Sequence, residues 1–261
     1  MIFTWVRRLV AWSLFVFLLV PLIGVVMVSF NGGATPMFPP QDLSVRWFWS
    51  ALQNQRFISG AMVSFWIAVG ATAIGTPLGV AAAFGIARSR FPGRGLVELI
   101  FLSPLIVPGL VIGVALLVSM STLGVRDPWL RLLIGHTLII LPYVIRTTLA
   151  GLARLEPSLE EAAMTLGASR LTVVRRIVLP ALMSPICAGA LFGFIISFDD
   201  AAVSIFLVSR DVATLPLVIM SYMQYNFDPS IAAVSTLLII MTLVGALFIE
   251  RVFGLKRFLG S

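Results

Sequence analysis

Apolar residues run through this chain in long blocks separated by short polar intervals. Six blocks, at 9–30, 60–87, 96–121, 129–149, 181–208 and 231–253, approach or exceed the roughly 20 residues that a helix needs to cross a bilayer. Between them only one interval, 155–180, is both long and rich in charge, with Glu156, Glu160, Glu161, Arg170, Arg175 and Arg176 following Arg154. The pattern predicts an all-α polytopic membrane protein with six transmembrane helices, one membrane domain over residues 1–261 and one polar loop of defined structure. A hydrophobic content of 59% and a mean hydropathy of +1.06 agree with that class and exclude an ordinary soluble domain. The first span has a long apolar core and no A-x-A site, so it reads as a retained anchor.

Basic residues orient the spans. With the N-terminus inside, the cytoplasmic side receives Arg7, Arg8, Arg88, Arg90, Arg94, Arg146, Arg154, Arg170, Arg175, Arg176, Arg251, Lys256 and Arg257. The other side receives only Arg46, Arg56, Arg126, Arg131 and Arg210. The bias of thirteen to five obeys the positive-inside rule, places both termini in the cytoplasm, and puts loop 155–180 there as well. The net charge of +7 is thereby assigned to orientation and lipid contact, and no nucleic-acid partner is implied.

Local signals in 155–180 predict two short helices. Pro157 suits a first helical position, Ser158 stands three residues before Glu161 in a capping-box spacing, and Gly167 can stop the helix in a left-handed conformation. Ser169 can cap a second helix running into Leu179-Pro180. The string Glu161-Ala162-Ala163, then Gly167, then Leu179-Pro180 resembles the EAA loop of ABC-importer permeases. The resemblance covers essentially the whole chain and implies the type I importer fold in the bacterial inner membrane. It further implies a cytoplasmic coupling helix, carried by Glu160, Glu161, Ala162, Ala163 and Gly167, that seats in a cleft of an ATPase. The partners implied are a second permease subunit, two ATPase subunits and an external solute-binding protein. ATP and Mg would then be held by the partner ATPase; this chain would bind no cofactor.

Within the spans, Ala71, Gly75, Gly79, Ala83 and Ala87 repeat every four residues and predict close helix packing. Pro77 predicts a kink in that span. Trp47, Phe48 and Trp49 suit a short interfacial helix in the outward segment, which anchors in the membrane or serves as a docking surface for the external protein. Pro104, Pro108, Gly109 and Gly113 predict an interrupted third span. His136, the only histidine, lies in the fourth span and suits a structural hydrogen bond. Asp199 and Asp200 are adjacent carboxylates in the fifth span, where burial is costly without water, a partner or a ligand. At helical spacing, Gly189, Gly193, Ser197, Asp200 and Ser204 share a small polar face. That face assigns Asp200 to the translocation route and Asp199 to a partner on a neighbouring helix. Ser197, Ser204 and Tyr222 complete the candidate pathway residues.

The segments SPLIVPGLVIGVALL, SFDDAAVSIFLVS and PSIAAVST resemble polyamine-type permeases, which implies a small cationic solute. Gly109 and Ser230 occupy positions often acidic in those permeases, so a monobasic amine or opine-like solute is also compatible. No G-x-x-x-x-G-K-[ST], H-E-x-x-H or C-x-x-C occurs, and the lone Cys187 supports neither a disulfide nor a metal site. Two other classes remain open at this point. An ion-coupled secondary transporter could use Asp199 and Asp200 as its relay, and an intramembrane hydrolase could use His136.

Overall fold

The structure is a computed structural model of the full chain, and residues 2–89 and 91–253 are described. Arg90, Lys256 and Arg257, three of the basic residues used for orientation, lie outside the described residues. The described residues are helical, with a single bridge between Asn31 and Leu43 in place of any strand. The chain forms two compact units, Met1–Ile58 with Val218–Leu247, and Ser59–Leu217 with Phe248–Ser261.

In the first unit, α1 (Ile2–Ser29) leads into a polar turn. Asn31 is buried and organises that turn: its amide donates to the carbonyls of Thr35 and Met37 at 3.2 Å each, and its Oδ1 accepts from Gly33 N–H at 2.8 Å. Gly32 donates to the Asp42 carbonyl at 2.7 Å, and a Cβ on it would stand 2.7 Å from that of Asp42. The interfacial helix expected at Trp47–Trp49 is α2 (Arg46–Gln53). Trp47 Nε1 donates to the Gly33 carbonyl at 3.2 Å, and Phe48 lies 5.0 Å from Phe30 between ring centroids. The expected helix therefore forms, tied down by the turn before it.

The second unit is built around α6 (Pro128–Arg154). Asp127 caps it by accepting from Leu130 N–H at 2.7 Å, and Pro128 takes the first position, where no donor is needed. On one side of α6 runs α3 (Gln55–Arg88), one helix of 34 residues that passes through Pro77. Its small-residue stripe packs as expected. A Cβ at Gly75 would meet Ile140 at 2.6 Å and one at Gly79 would meet Val144 at 2.8 Å, so only hydrogen lets the helices approach this closely. On the other side runs α10 (Met183–Asp199), whose Gly189 lies against Val144 and Thr147 and whose Gly193 lies against Ile140. Leu132, Ile140, Val144 and Ile145 of α6 are consequently buried completely. Packing of small residues supplies this association, because lipid offers no hydrophobic drive between helices.

Two of the expected spans are not continuous helices. The block at 96–121 consists of α4 (Arg94–Leu102), a 3₁₀ turn at Ser103–Leu105 and α5 (Gly109–Thr122), bent by 104° at the Pro104 and Pro108 interruption. In the block at 181–208, α10 ends at Asp199 and a short α11 (Ser204–Leu207) follows. Three helices, α1, α3 and α6, are long and apolar enough to span, and two bent pairs, Arg94–Leu105 with Gly109–Thr122 and Arg170–Ala181 with Met183–Asp199 (64°), add up to two more. The last block is α13 (Ser230–Phe253), whose apolar part covers Ser230–Gly245. Before it stands α12 (Leu215–Tyr225), whose first amide, on Leu215, donates to Ser64 Oγ at 2.9 Å. A serine 151 residues away in sequence thus caps that helix, while Thr214, the adjacent hydroxyl, has no partner among the described residues.

Candidate functional site

Loop 155–180 folds as two short helices, α7 (Pro157–Thr165) and α8 (Arg170–Val173). A π-helical turn, Val174–Val178, continues α8 into α9 (Leu179–Ala181). Pro157 begins α7 at its first position. The expected capping box does not form: with Pro157 opening the helix, Glu156 is the cap residue and Ser158 already lies inside, bonded at 3.4 Å to the Glu156 carboxylate. Gly167 ends the helix with φ of 87°. Its N–H donates to the Met164 carbonyl at 3.0 Å and that of Ala168 to the Ala163 carbonyl at 3.1 Å, the paired bonds of a Schellman motif. Ser169 caps α8 through Thr172 N–H at 3.3 Å.

The loop is rooted in the protein. Ala163, Ala168 and Leu155 pack against a cluster of Ala83, Ile86, Ile145, Leu152, Val173, Val178 and Leu182. Glu160 forms an ion pair with Arg88 at the end of α3. The expected coupling residues therefore divide: Glu160 and Ala163 face inward as a brace, whereas Glu161, Ala162 and Gly167 are exposed. Three residues absent from the sequence reading join the exposed set. Leu159, Met164 and Leu166 are 51, 40 and 89% exposed, an apolar rim around a charged centre. Their signal in the sequence was the presence of large apolar residues in a helix that has no bilayer to face.

The second candidate region lies where α10 ends. Asp200 takes extended backbone (φ −68°, ψ 125°) and its carboxylate caps α11. It accepts from the N–H of Val203 at 3.1 Å, from the N–H of Ser204 at 2.8 Å and from the Ser204 hydroxyl at 3.0 Å. His136 of α6, fully buried, bonds Ser197 Oγ through Nδ1 at 2.7 Å and Ser204 Oγ through Nε2 at 2.9 Å. The small polar face holding Gly189, Gly193 and Ser197 is thus packed against α6 and is closed to a solute within this chain. Asp199 was expected to meet a neighbouring helix, but it is exposed and has no hydrogen bond or ion pair among the described residues. The helix ends at Asp199, so Asp200 leaves the helical face expected for it, whereas Asp199 keeps its helical direction.

Gly109 and Gly113 of α5 also belong to this region. A Cβ at Gly109 would lie 2.9 Å from that of Ala202, and one at Gly113 would lie 2.6 Å from the Phe206 ring. The missing carboxylate at 109 therefore has a packing cause, because the chain at 201–203 occupies the space. Tyr222 stands apart in the first unit, where its hydroxyl donates to Asp228 at 2.8 Å and its ring lies 4.9 Å from that of Phe57.

Serine, histidine and aspartate occur together here, but in an order that does not activate a nucleophile. The carboxylate accepts from the serine hydroxyl and makes no bond to the imidazole, whereas a triad needs the base between the two. With this burial and order, the hydrolase reading has no site.

Bent helices of spanning composition and a rooted, charged loop place the chain among multi-pass membrane proteins. The family of binding-protein-dependent transport system inner membrane components matches residues 75–255, and the chain belongs to it. It is a multi-pass inner-membrane permease subunit of an ABC importer, works with an external binding protein and an ATPase, and does not itself hydrolyse ATP. This removes the ion-coupled reading. The chain is 30% identical over 232 residues to the spermidine/putrescine transport system permease protein PotC of Escherichia coli strain K12, covering 89% of this chain and 88% of that one. It is 31% identical to the putrescine transport system permease protein PotI of the same strain, covering 86 and 82%. Among solved structures, a bacterial ABC transporter that imports the acidic polysaccharide alginate matches with a TM-score of 0.69 at 16% identity, covering 96% of this chain and 95% of that one. The MetNI methionine ABC transporter matches with a TM-score of 0.59 at 16% identity, covering 81 and 98%. These two likenesses establish the fold.

Proposed function

We propose that this chain forms half of the translocation path for a polyamine or a related small cationic solute delivered by an external binding protein. A second permease subunit would complete the path, and two ATPase subunits would drive it. Both termini and loop 155–180 would lie on the cytoplasmic side. ATP binding would draw the paired loops together through Glu161, Ala162 and the apolar rim, and Glu160 with Arg88 would carry the motion into α3. Alternating access about a site near the bilayer midplane follows.

The kinship with PotC and PotI supports the solute class, and one geometric observation carries the site. Asp199 ends α10 with an exposed carboxylate that has no counter-charge among the described residues. An intramembrane carboxylate in that position requires one, and a passing ammonium group supplies it. Asp200, Ser197 and Ser204 then serve the pathway by shaping the helix end. Tyr222, with a half-buried ring, offers a face for cation–π contact.

The test is uptake of radiolabelled spermidine and putrescine by the complete complex in liposomes, with the binding protein outside. ATP-dependent uptake is expected, and Asp199→Asn should reduce it by one to two powers of ten, the equivalent of a charge-assisted contact of about 1.5–3 kcal/mol. Undiminished uptake by that variant would refute the site. Transport of neither amine by an active complex would refute the solute class. In a Cys187→Ser background, an impermeant thiol reagent added to intact cells should label Gln53→Cys and spare Ser158→Cys. The reverse pattern overturns the orientation.

A further inference from the structure

The break after α10 is capped by Asp200, but no helix-breaking residue makes it. No proline or glycine occurs from residue 194 to 214, and Ala201 and Ala202 favour helix. What stands at the break is a chain of buried side chains drawn from both sides of it. Ser197 precedes the break, Ser204 follows it, and His136 joins the two from α6. The proton order follows from chemistry. The Ser204 hydroxyl has one hydrogen, which goes to Asp200, so Ser204 must accept from His136 Nε2–H. On a neutral ring, Nδ1 then accepts from the Ser197 hydroxyl.

That bridge is incompatible with an unbroken helix. Residues 197 and 204 are seven apart, so their hydroxyls would be roughly 10 Å apart along a continuous axis. The nitrogens of an imidazole are about 2.2 Å apart, and with two ordinary hydrogen bonds the ring spans at most about 8 Å. His136 can hold both serines only when the chain shortens between them. Asp200 accomplishes the shortening by withdrawing the amides of Val203 and Ser204 from the helix ladder. Gly109 and Gly113 leave room for the displaced chain.

We propose that His136 is a positioning residue for solute passage. It clasps Ser197 and Ser204 across the break, keeps Asp200 in place as the cap of α11, and so makes Asp199 the last, exposed residue of α10. This rests on the reading that Asp199 meets the solute, and it adds the device that presents the carboxylate. If α10 ran on through residue 204, Asp199 would keep its direction but would no longer stand at a helix end.

The test uses the full reconstituted complex in a Cys187→Ser background, with spermidine as the probe. Spin labels on Phe192→Cys and Ile205→Cys, both exposed positions, report the distance across the break. In His136→Leu this distance should move away from its original value toward the roughly 20 Å of thirteen residues of straight helix. Spermidine uptake should fall about tenfold. His136→Gln should restore both, because a carboxamide presents one donor and one acceptor at nearly the imidazole spacing. Adding His136→Leu to Asp199→Asn should cause no further loss of uptake. An unchanged distance in His136→Leu overturns the proposal, as does full uptake despite a changed distance. If His136→Leu fails to assemble, Ser197→Ala and Ser204→Ala, each cutting one end of the clasp, carry the same expectations. Full uptake by Asp199→Asn refutes the pathway reading on its own, and the distance measurement still decides whether the clasp exists.

Discussion

At residues 165–169 the chain leaves a helix because Gly167 takes φ of 87°, its amide and the next return to the last carbonyls, and Ser169 starts the following helix. At residues 199–204 it leaves a helix with no glycine, no proline and no residue at positive φ, held by a histidine from another helix and by an aspartate. The first turn satisfies its own backbone groups and remains exposed. The second is held by buried side chains, His136, Ser197 and Ser204, whose polar atoms need partners. The coupling role proposed for the first turn requires a loop that stays rigid by itself, and self-contained capping provides that. A break at membrane depth cannot be hydrated, so its partners must come from neighbouring helices.

Substitutions can test whether the two turns are independent in this way. The largest effect is expected from Gly167→Pro, which demands φ near −65° and deletes the amide bonded to Met164. A cost of about 3 kcal/mol or more falls on the loop. ATPase stimulation by loaded binding protein should drop more than tenfold while the chain still inserts and the spin-label distance across 192–205 is unchanged. Second comes Gly109→Asp, which restores the acidic residue common in polyamine permeases but forces it against Ala202. Overpacking of about 1–3 kcal/mol should lower the thermal stability of the purified complex and add nothing to polyamine uptake. A stable complex with improved uptake would show that residue 109 faces the solute after all.

Ser169→Ala removes one cap and should cost about 1 kcal/mol, read as a modest fall in melting temperature with near-normal uptake. Arg88→Ala, at a half-exposed ion pair, should cost only about 0.2–1 kcal/mol. A loss of coupling larger than the loss of stability in that variant would mark the ion pair as a transmission element, and Glu160→Arg in an Arg88→Glu background should then restore it.

The loop was legible almost residue by residue because its causes are local: Pro157, Gly167 and Ser169 each act within four positions of themselves. Even its one misreading, the Ser158 cap, was a shift of one register caused by the neighbouring proline. The stripe from Ala71 to Ala87 was legible too, since small residues in a membrane helix have few uses besides close packing. Asp199 and Asp200 were recognisable as anomalous carboxylates, but nothing local announced that Asp200 leaves the helix and caps α11. Helical periodicity ends at Asp199, and one of the side chains bonded across the break, His136, lies 64 positions before Asp200.

The sequence by itself determined the class of molecule: apolar blocks of spanning length, the bias of basic residues, and an EAA-type loop whose local chemistry leaves few alternatives. It also determined where helices pack, because glycine and alanine spacing records the approach of a neighbour whichever neighbour that is. Only the tertiary structure decided which polar side chains pair. It joined Ser64 to Leu215, Arg88 to Glu160, and His136 to Ser197 and Ser204. These bonds link residues between 61 and 151 positions apart, and no local pattern encodes a partner at that range. Inside a membrane protein an unpaired polar group costs more than a helix turn, so partners of this kind override helical propensity and set where α10 ends.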